Sequence, residues 1–458
     1  MAPRITIIGG GSYQWVPKLL VDIANTPVLH EAELVIQDID PAPIPRMVEL
    51  VKHVAEVRGI GLTAKGTTDQ REALEGADYV VATISTGGFE SMRHDLEIPE
   101  RYGIRQSVGD SVGPGGIVRA LRNIPVFLEI ARNMEELCPD AWLLNLTNPM
   151  TAICRAVTRE SSITTIGLCH EVTIAQFTLS LLLDAGFMDL RPTVAGVNHL
   201  PFITKLDNAG SDGLEQLRDL IDHADERASE PLAMALPEDF GVEKVSAGSE
   251  WTKGDLLHHN QVKFELFRRF GVLPSAGDRH LVEFFPGFLT EEAEWGKRWG
   301  VEITTIAERV GDRDGHIKDF EAMLASPEVS NMPSGEMVAG IMQCRMTNTP
   351  GWFPLNLPNR GQVTDLPDGV VVESMVVVDG DGPRGRDEVA VPGAMAAELR
   401  QVLAAQELTV EAAISGRRDA VFEAMLVDPL AGRIDYEALG RMTDEMLAAT
   451  KPWLPQFA

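Results

Sequence analysis

The chain has 458 residues, enough for roughly two or three domains' worth of core or for one large α/β unit with an elaborated second half. Its 68 acidic against 40 basic residues leave a formal net charge of −28, which argues against a nucleic-acid binder, because phosphates demand a cationic face. The cysteines, Cys138, Cys154, Cys169 and Cys344, form no CxxC pair and no disulfide framework, no apolar run nears the ~18 residues of a membrane span, and the N-terminus has no signal-type pattern. A reduced, soluble, cytoplasmic protein is expected.

In chain order, "RITIIGGGS" reads as a short buried strand running into a glycine turn, and "YQWVPKLLVDIA" as the helix after it. "AELVIQDID" is an apolar strand ending in carboxylates, "IPRMVELVKHVAEV" a helix and "ADYVVATIS" another strand. "NIPVFLEIARNMEEL" has helical spacing, and "AWLLNLTNP" and "ITTIGLC" are two further strands. Strands alternating with helices imply a parallel sheet covered on both faces. After about residue 190 the pattern changes. "RPTVAGVNHLPFITKLD" predicts antiparallel or edge strand, residues 210–250 a loop-rich insertion, "DLLHHNQVKFELFRRFG" a helix, and "GVVVESMVVVDGDGPRG" strand and turn, with helices from about 395 onward. The expected fold is an N-terminal Rossmann-type doubly wound sheet, residues 1–190, with a C-terminal α+β substrate lobe, residues 191–458, packed on it as in lactate and malate dehydrogenases.

The turn Gly9-Gly10-Gly11-Ser12, between a strand and a helix, stands where a Rossmann fold aims backbone N–H groups at a pyrophosphate, although Gln14 replaces the last glycine of the usual fingerprint. Asp38, at the end of the second strand, is placed to bind ribose hydroxyls, with Asp40 a poorer rival. A carboxylate there favours NAD over NADP by repelling a 2′-phosphate.

The motifs "GGGS", "QDIDP", "ATISTGGFESMRHDLEIPERYGI", "GDSVGPGGIVRALRNIP", "NLTNPM", "GLCHE" and "GVNHLPF" resemble, in order and spacing, the NAD- and manganese-dependent glycosidases of glycoside hydrolase family 4. "DRHLVEFFP", "NLPNRGQVTDLPDGVVVE" and "KPWLPQF" extend the resemblance over most of the chain, and the NAD-dependent sulfoquinovosidases are similar too. The resemblance implies a glycosidase outside the usual two-carboxylate scheme. NAD+ takes a hydride from C3 of the sugar, the ketone acidifies C2, a base removes that proton, the aglycone leaves C1, water adds, and NADH returns the hydride. It also implies homodimers or homotetramers.

On this resemblance Cys169 and His199 are the Mn2+ ligands, a thiolate and an imidazole that leave positions open for sugar oxygens. Asp110 is the general acid or a ligand to the reacting hydroxyls, with a helix cap as the competing reading. Asn148 holds sugar hydroxyls beside the nicotinamide or makes a local turn. Ser85, in the "STGG" turn, belongs with the cofactor, and Arg93, Asp95 and Glu97 follow it. His170 and Asn198 are candidate sugar partners. Many members use a tyrosine as the C2 base, but no tyrosine falls between 200 and 300, and Phe264 occupies the matching place. Helical spacing would put Asp255, His259 and Lys263 on one face, so Asp255, His259 or a metal-bound water is the expected base. Lys253, His258, His259, Lys263, Arg279 and His280 form a basic cluster suited to a carboxylate or sulfonate at C6, a sulfoquinovoside ahead of a glucuronide. The rival readings are a neutral-sugar α-glycosidase, a net-redox sugar or hydroxy-acid dehydrogenase, and a nucleotide sensor without catalysis.

Overall fold

The computed structural model describes residues 2–232 and 250–457. The first strands are β1 (Arg4–Ile8), β2 (Glu33–Gln37), β3 (Thr63–Thr67), β4 (Tyr79–Ala82), β5 (Trp142–Asn145) and β6 (Thr165–Leu168), and they pair in parallel in the order β3-β2-β1-β4-β5-β6. Helices cover both faces, so β4, β5 and β6 are buried at every position. The polar β3, "TAKGT", sits at the edge, where a strand needs little apolar pattern.

The sheet does not stop at β6. The hairpin β7 (Leu190–Val197) and β8 (Leu200–Asn208), the two-residue β9 (Ser211–Asp212), β10 (Leu273–Pro274), β11 (Gly351–Pro358), β12 (Val371–Asp379) and β13 (Gly382–Gly385) are all antiparallel to their neighbours. They extend β6 in the order β11-β12-β7-β8-β10, with β13 beside β12, giving one 13-stranded sheet. The expected antiparallel strand at residues 191–207 is therefore interior, between β12 and β10.

Two expectations change. Part of the expected loop 210–250 is the helix Gly213–Asp222, capped by Asp212, which accepts from the Leu214 and Glu215 N–H groups; Leu214, Leu217 and Ile221 supply a buried stripe. Residues 233–249 of that segment lie outside the described residues. The single helix expected over "DLLHHNQVKFELFRRFG" is two, Lys253–His258 and Gln261–Phe270, broken at His259 and Asn260.

The C-terminal helices Gly393–Ser415, Arg418–Val427 and Tyr436–Ala449 return to the first half. Val410, Val421, Met425 and Met446 share a core with Val80, Leu121, Phe127 and Ile153. At ~1.5–3 kcal/mol for each fully buried large apolar side chain, this packing ties the chain's end to the parallel sheet. Among the described residues no helix is long and apolar enough to cross a membrane.

Candidate active site

Strand order reverses between β1 and β4, the place where open α/β sheets leave a crevice at their carboxyl ends. Gly9 follows β1 with φ +81°, and a Cβ there would stand 2.2 Å from the Thr83 carbonyl oxygen after β4, so only glycine fits. Gly10 likewise packs against Ile7 and Ile36 beneath the turn. Gly11 and Ser12 line a cleft of about 510 Å³, together with Ser85, Asp110, Arg119 and Asn148. The Asp38 carboxylate accepts from the Gly11 N–H at 2.9 Å and the Asp40 N–H at 3.0 Å, which fixes the turn's shape at the end of β2.

A compact donor set adjoins the cleft at Asp110: Asp110, His199 and His280 each offer a ligand atom within 4.8 Å of the others. His199 arrives on the Asn198-His199 turn of the β7–β8 hairpin, where Val197 pairs with Leu200. It holds φ +63°, a conformation costing of order 1–3 kcal/mol in a non-glycine residue and kept where the surroundings enforce it. Those surroundings are the His280 ring, 3.7 Å away centroid to centroid, and Ser111. The Ser111 hydroxyl donates to Asp110 Oδ1 at 2.8 Å, so at its 2.7 Å contact with His199 Nδ1 it accepts. That assigns the proton to Nδ1 and leaves the lone pair on Nε2. Burial and the nearby His280 hold the His199 pKa down at about 3, so the ring is neutral at pH 7.

Asp110 does not cap the following helix, whose N-cap is Val112. Burial alone would raise its pKa, but His199, His280, Arg119 and the Ser111 bond together hold it well below the usual carboxylate range. A carboxyl group so strongly anionic suits a ligand better than a proton donor. Its loop is clamped from behind by Glu283, whose Oε1 accepts the Val108 and Gly109 N–H groups at 2.8 Å each. Glu283 and His280 share the helix Asp278–Phe284, so one short helix positions both sides of the cluster.

Asn148 donates to Asp110 Oδ2 at 3.1 Å, while its own Oδ1 is buried without a partner. His280 Nδ1 is likewise buried and unpartnered. Two imidazoles, a carboxylate and an orphaned amide oxygen match the N/O donor preference of a divalent manganese ion, and a glycine turn whose Cβ positions are filled by the fold matches a dinucleotide. The residues present therefore fit both groups.

Cys169 lies outside the three-residue set. It is buried beside Asn198, Glu171 and Glu373; burial first, then the two carboxylates, raise its pKa well above the ordinary value, so without a cation it is a thiol. Asn198 donates to Glu373 Oε2 at 3.3 Å behind the hairpin. His170 contacts Glu336 Oε1 through Nδ1 at 2.9 Å.

The basic cluster expected around residues 253–280 is not one surface. Lys253 is 1% exposed and paired with Asp184 at 2.7 Å and Glu230 at 2.8 Å, a structural tie and not a ligand contact. Arg279 is held by Glu308 and Thr304. Lys263 is buried near Asp278 and Glu171, and burial lowers its pKa. Asp255 closes a capping box with Thr252, accepting its N–H and hydroxyl at 2.8 Å each. With the helix broken at His259, the shared face expected for Asp255, His259 and Lys263 does not form.

Asp95 lies wholly inside the protein, in a bidentate pair with Arg122 at 2.8 and 2.6 Å, whereas Arg93 and Glu97 pair on the surface. Sequence reasoning passed over Ser111, Arg119, Glu171 and Glu283. Burial would raise the Glu171 pKa, but its neighbours, His280, His170 and His199 with Lys263, together lower it. The available signals were adjacency, Ser111 next to Asp110 and Glu171 two residues past Cys169, and helical spacing, Glu283 three residues past His280.

The model of the "Family 4 glycosyl hydrolase" matches residues 4–184, and that of the "Family 4 glycosyl hydrolase C-terminal domain" matches residues 194–431. An α-galactosidase of Bacillus subtilis is 30% identical over 99% of each chain. An α-galacturonidase of Thermoanaerobacter italicus is 32% identical, over 98% of this chain and 97% of the relative. A solved Bacillus subtilis structure named as glucosidase lplD superposes with a TM-score of 0.86 at 30% identity, covering 97% of this chain and 100% of that one. A 6-phospho-α-glucosidase from gut microorganisms, solved with NAD and Mn2+, shares the fold with a TM-score of 0.81 at 22% identity, covering 99% of each chain. The chain belongs to the family 4 glycosyl hydrolases.

Proposed function

We propose that this glycosyl hydrolase cleaves α-glycosides of a sugar with an anionic C6 group, a sulfonate or a carboxylate, using NAD and Mn2+. The observation that carries the reading is the Asp110–His199–His280 cluster, which meets through Asp110 a cleft lined by the Gly11–Ser12 turn and Asn148. Residues 1–190 would carry the cofactor turn, and residues 191–458 would bring His199 and His280 to it. When bound, NAD+ supplies a hydride acceptor for the sugar's C3, and a divalent cation held by Asp110, His199 and His280, with Cys169 as a further candidate, supplies a Lewis acid.

The chain's own groups do the rest. Asn148 and Ser111 hold the Asp110 carboxylate from two sides, Ser111 also fixes the His199 tautomer, and Ser85 stands where it can meet the cofactor. The α-galacturonidase relative supports an anionic sugar, whereas the α-galactosidase relative is named for a neutral one. The two are separated by aryl α-glycosides with neutral, carboxylate and sulfonate C6 groups, each assayed with and without NAD+ and Mn2+. Cleavage of the anionic substrates, dependent on both additions and without net NADH release, is expected; equal rates on the neutral sugars would overturn the substrate class. An assembly of two or four chains is part of the proposal, and sedimentation velocity tests it.

A further inference from the structure

Lys253 and Arg279 are engaged by carboxylates and a hydroxyl elsewhere, so neither is free to recognise an anionic sugar. Of the arginines that line the cleft, Arg309 is paired with Asp312 at 3.6 Å and Arg313 with Asp314 at 2.9 Å, which leaves Arg119 as the one without a carboxylate partner among the described residues. It stands on the helix Gly113–Leu137, half-buried in the cleft wall between Asp110 and Asn148. Its Nε donates to the Asn148 carbonyl oxygen at 3.2 Å, and Nη2 makes only a 3.5 Å contact with Ser85 Oγ. Among the described residues no carboxylate lies within ion-pair distance of it.

One turn further along the helix, Arg122 shows how this protein holds a guanidinium whose role is purely structural, since Asp95 grips it with both oxygens. Arg119 keeps most of its N–H donors unengaged. A second cation, Arg309, lines the same cleft from another helix. Burial, Arg122 and Arg309 all bear on the Arg119 charge in the unfavourable sense, and Asp110 and Asp95 only partly offset them. An incompletely paired guanidinium on a cleft wall is stabilised when a ligand brings the anion.

We propose that Arg119 receives the anionic substituent of the glycoside and sets the preference for a carboxylate or sulfonate over a hydroxyl. The assignment rests on the function proposed above and adds to it the residue that discriminates. Guanidinium suits this role because its planar fork meets a carboxylate or sulfonate through two parallel N–H bonds, whereas a C6 hydroxyl takes one.

The test uses full-length protein loaded with NADH and Mn2+, which lacks a hydride acceptor and so binds glycosides without cleaving them, and calorimetry with three probes, methyl α-galacturonoside, methyl α-sulfoquinovoside and methyl α-galactoside. Arg119→Gln should weaken the preferred anionic probe by about 10- to 100-fold, the loss of a charge-assisted bond, and leave the galactoside within about 2-fold of wild type. Arg119→Lys should restore part of the loss, which a folding defect would not permit. NAD+ affinity, read from tryptophan fluorescence, should stay unchanged in both variants. A wild-type protein that prefers an anionic probe, with Arg119→Gln keeping that preference, overturns the assignment and leaves the substrate class standing. Weakened NAD+ binding with glycoside discrimination intact would move Arg119 to the cofactor. A wild type that binds the three probes equally overturns the anionic substrate and the assignment together.

Discussion

Ser111→Ala removes a single oxygen atom, and with it the bridge between the two groups that most constrain the cluster. That oxygen accepts from His199 Nδ1 at 2.7 Å and donates to Asp110 Oδ1 at 2.8 Å. Without it the His199 ring loses what fixes its tautomer, and the Asp110 carboxylate loses one of the bonds holding it anionic. A neutral hydrogen bond contributes about 0.5–1.5 kcal/mol and one to a charged group about 1.5–3 kcal/mol. Loss of an outer-shell partner weakens metal binding about 10- to 100-fold, or about 1.4–2.8 kcal/mol at ~1.4 kcal/mol per decade, so the scales agree. Mn2+ titration followed by electron paramagnetic resonance, with NAD+ present, reads the constant directly, and the buried Ser-to-Ala change creates almost no cavity. Unchanged Mn2+ affinity in Ser111→Ala, alongside its abolition in Cys169→Ser, would refute the reasoning and move the metal from the Asp110–His199–His280 set to a thiolate-centred one.

Arg122→Ala strands the fully buried Asp95 carboxylate and should cost about 3–5 kcal/mol, read as a lower urea midpoint; a shift near zero would show that the pair contributes nothing. Asp255→Ala removes the N3 half of the capping box closed with Thr252, at a cost of about 1 kcal/mol, and should leave kcat intact; a collapse of kcat with normal stability would restore Asp255 as the base. Lys253→Met should leave KM for any glycoside unchanged, because that ammonium is sealed against Asp184 and Glu230. Glu283, pushed up to about 8 chiefly by burial, holds a proton in the folded protein at pH values where the unfolded chain has released it. The folded state then binds more protons than the unfolded one between the ordinary glutamate range and about pH 8, so stability falls as pH rises through that window. Glu283→Gln should flatten that slope in urea titrations at pH 6 and pH 8, and an identical slope in both proteins would rule out this carboxyl group as its source.

Much of the fold is local and was therefore legible. The apolar strands β1, β2, β4, β5 and β6 and the glycine turn after β1 follow from periodicity and from the conformational freedom of one residue type, and these are short-range properties. The polar edge strand β3 lacks that signal because edge strands are not buried on both faces. The helix Gly213–Asp222 had its signal, an aspartate cap before a leucine stripe, masked by charged neighbours. The residues of the cluster were also legible, since Asp110, His199 and His280 all stand in the motifs that carry the family resemblance.

Which of them meet was not legible. The family resemblance pairs Cys169 with His199, and the structure gathers two further ligand atoms beside His199, those of Asp110 and His280, 89 and 81 residues away along the chain. The basic residues between 253 and 280 read as one patch, yet Lys253 is turned to Asp184 and Glu230, Arg279 to Glu308, and only His280 reaches the cluster. Composition and periodicity determine which faces of which elements are buried. They do not determine where a long cationic side chain ends, because that depends on which carboxylate the fold brings within about 3 Å of it, and the closing of a 13-stranded sheet across both halves of the chain decides that.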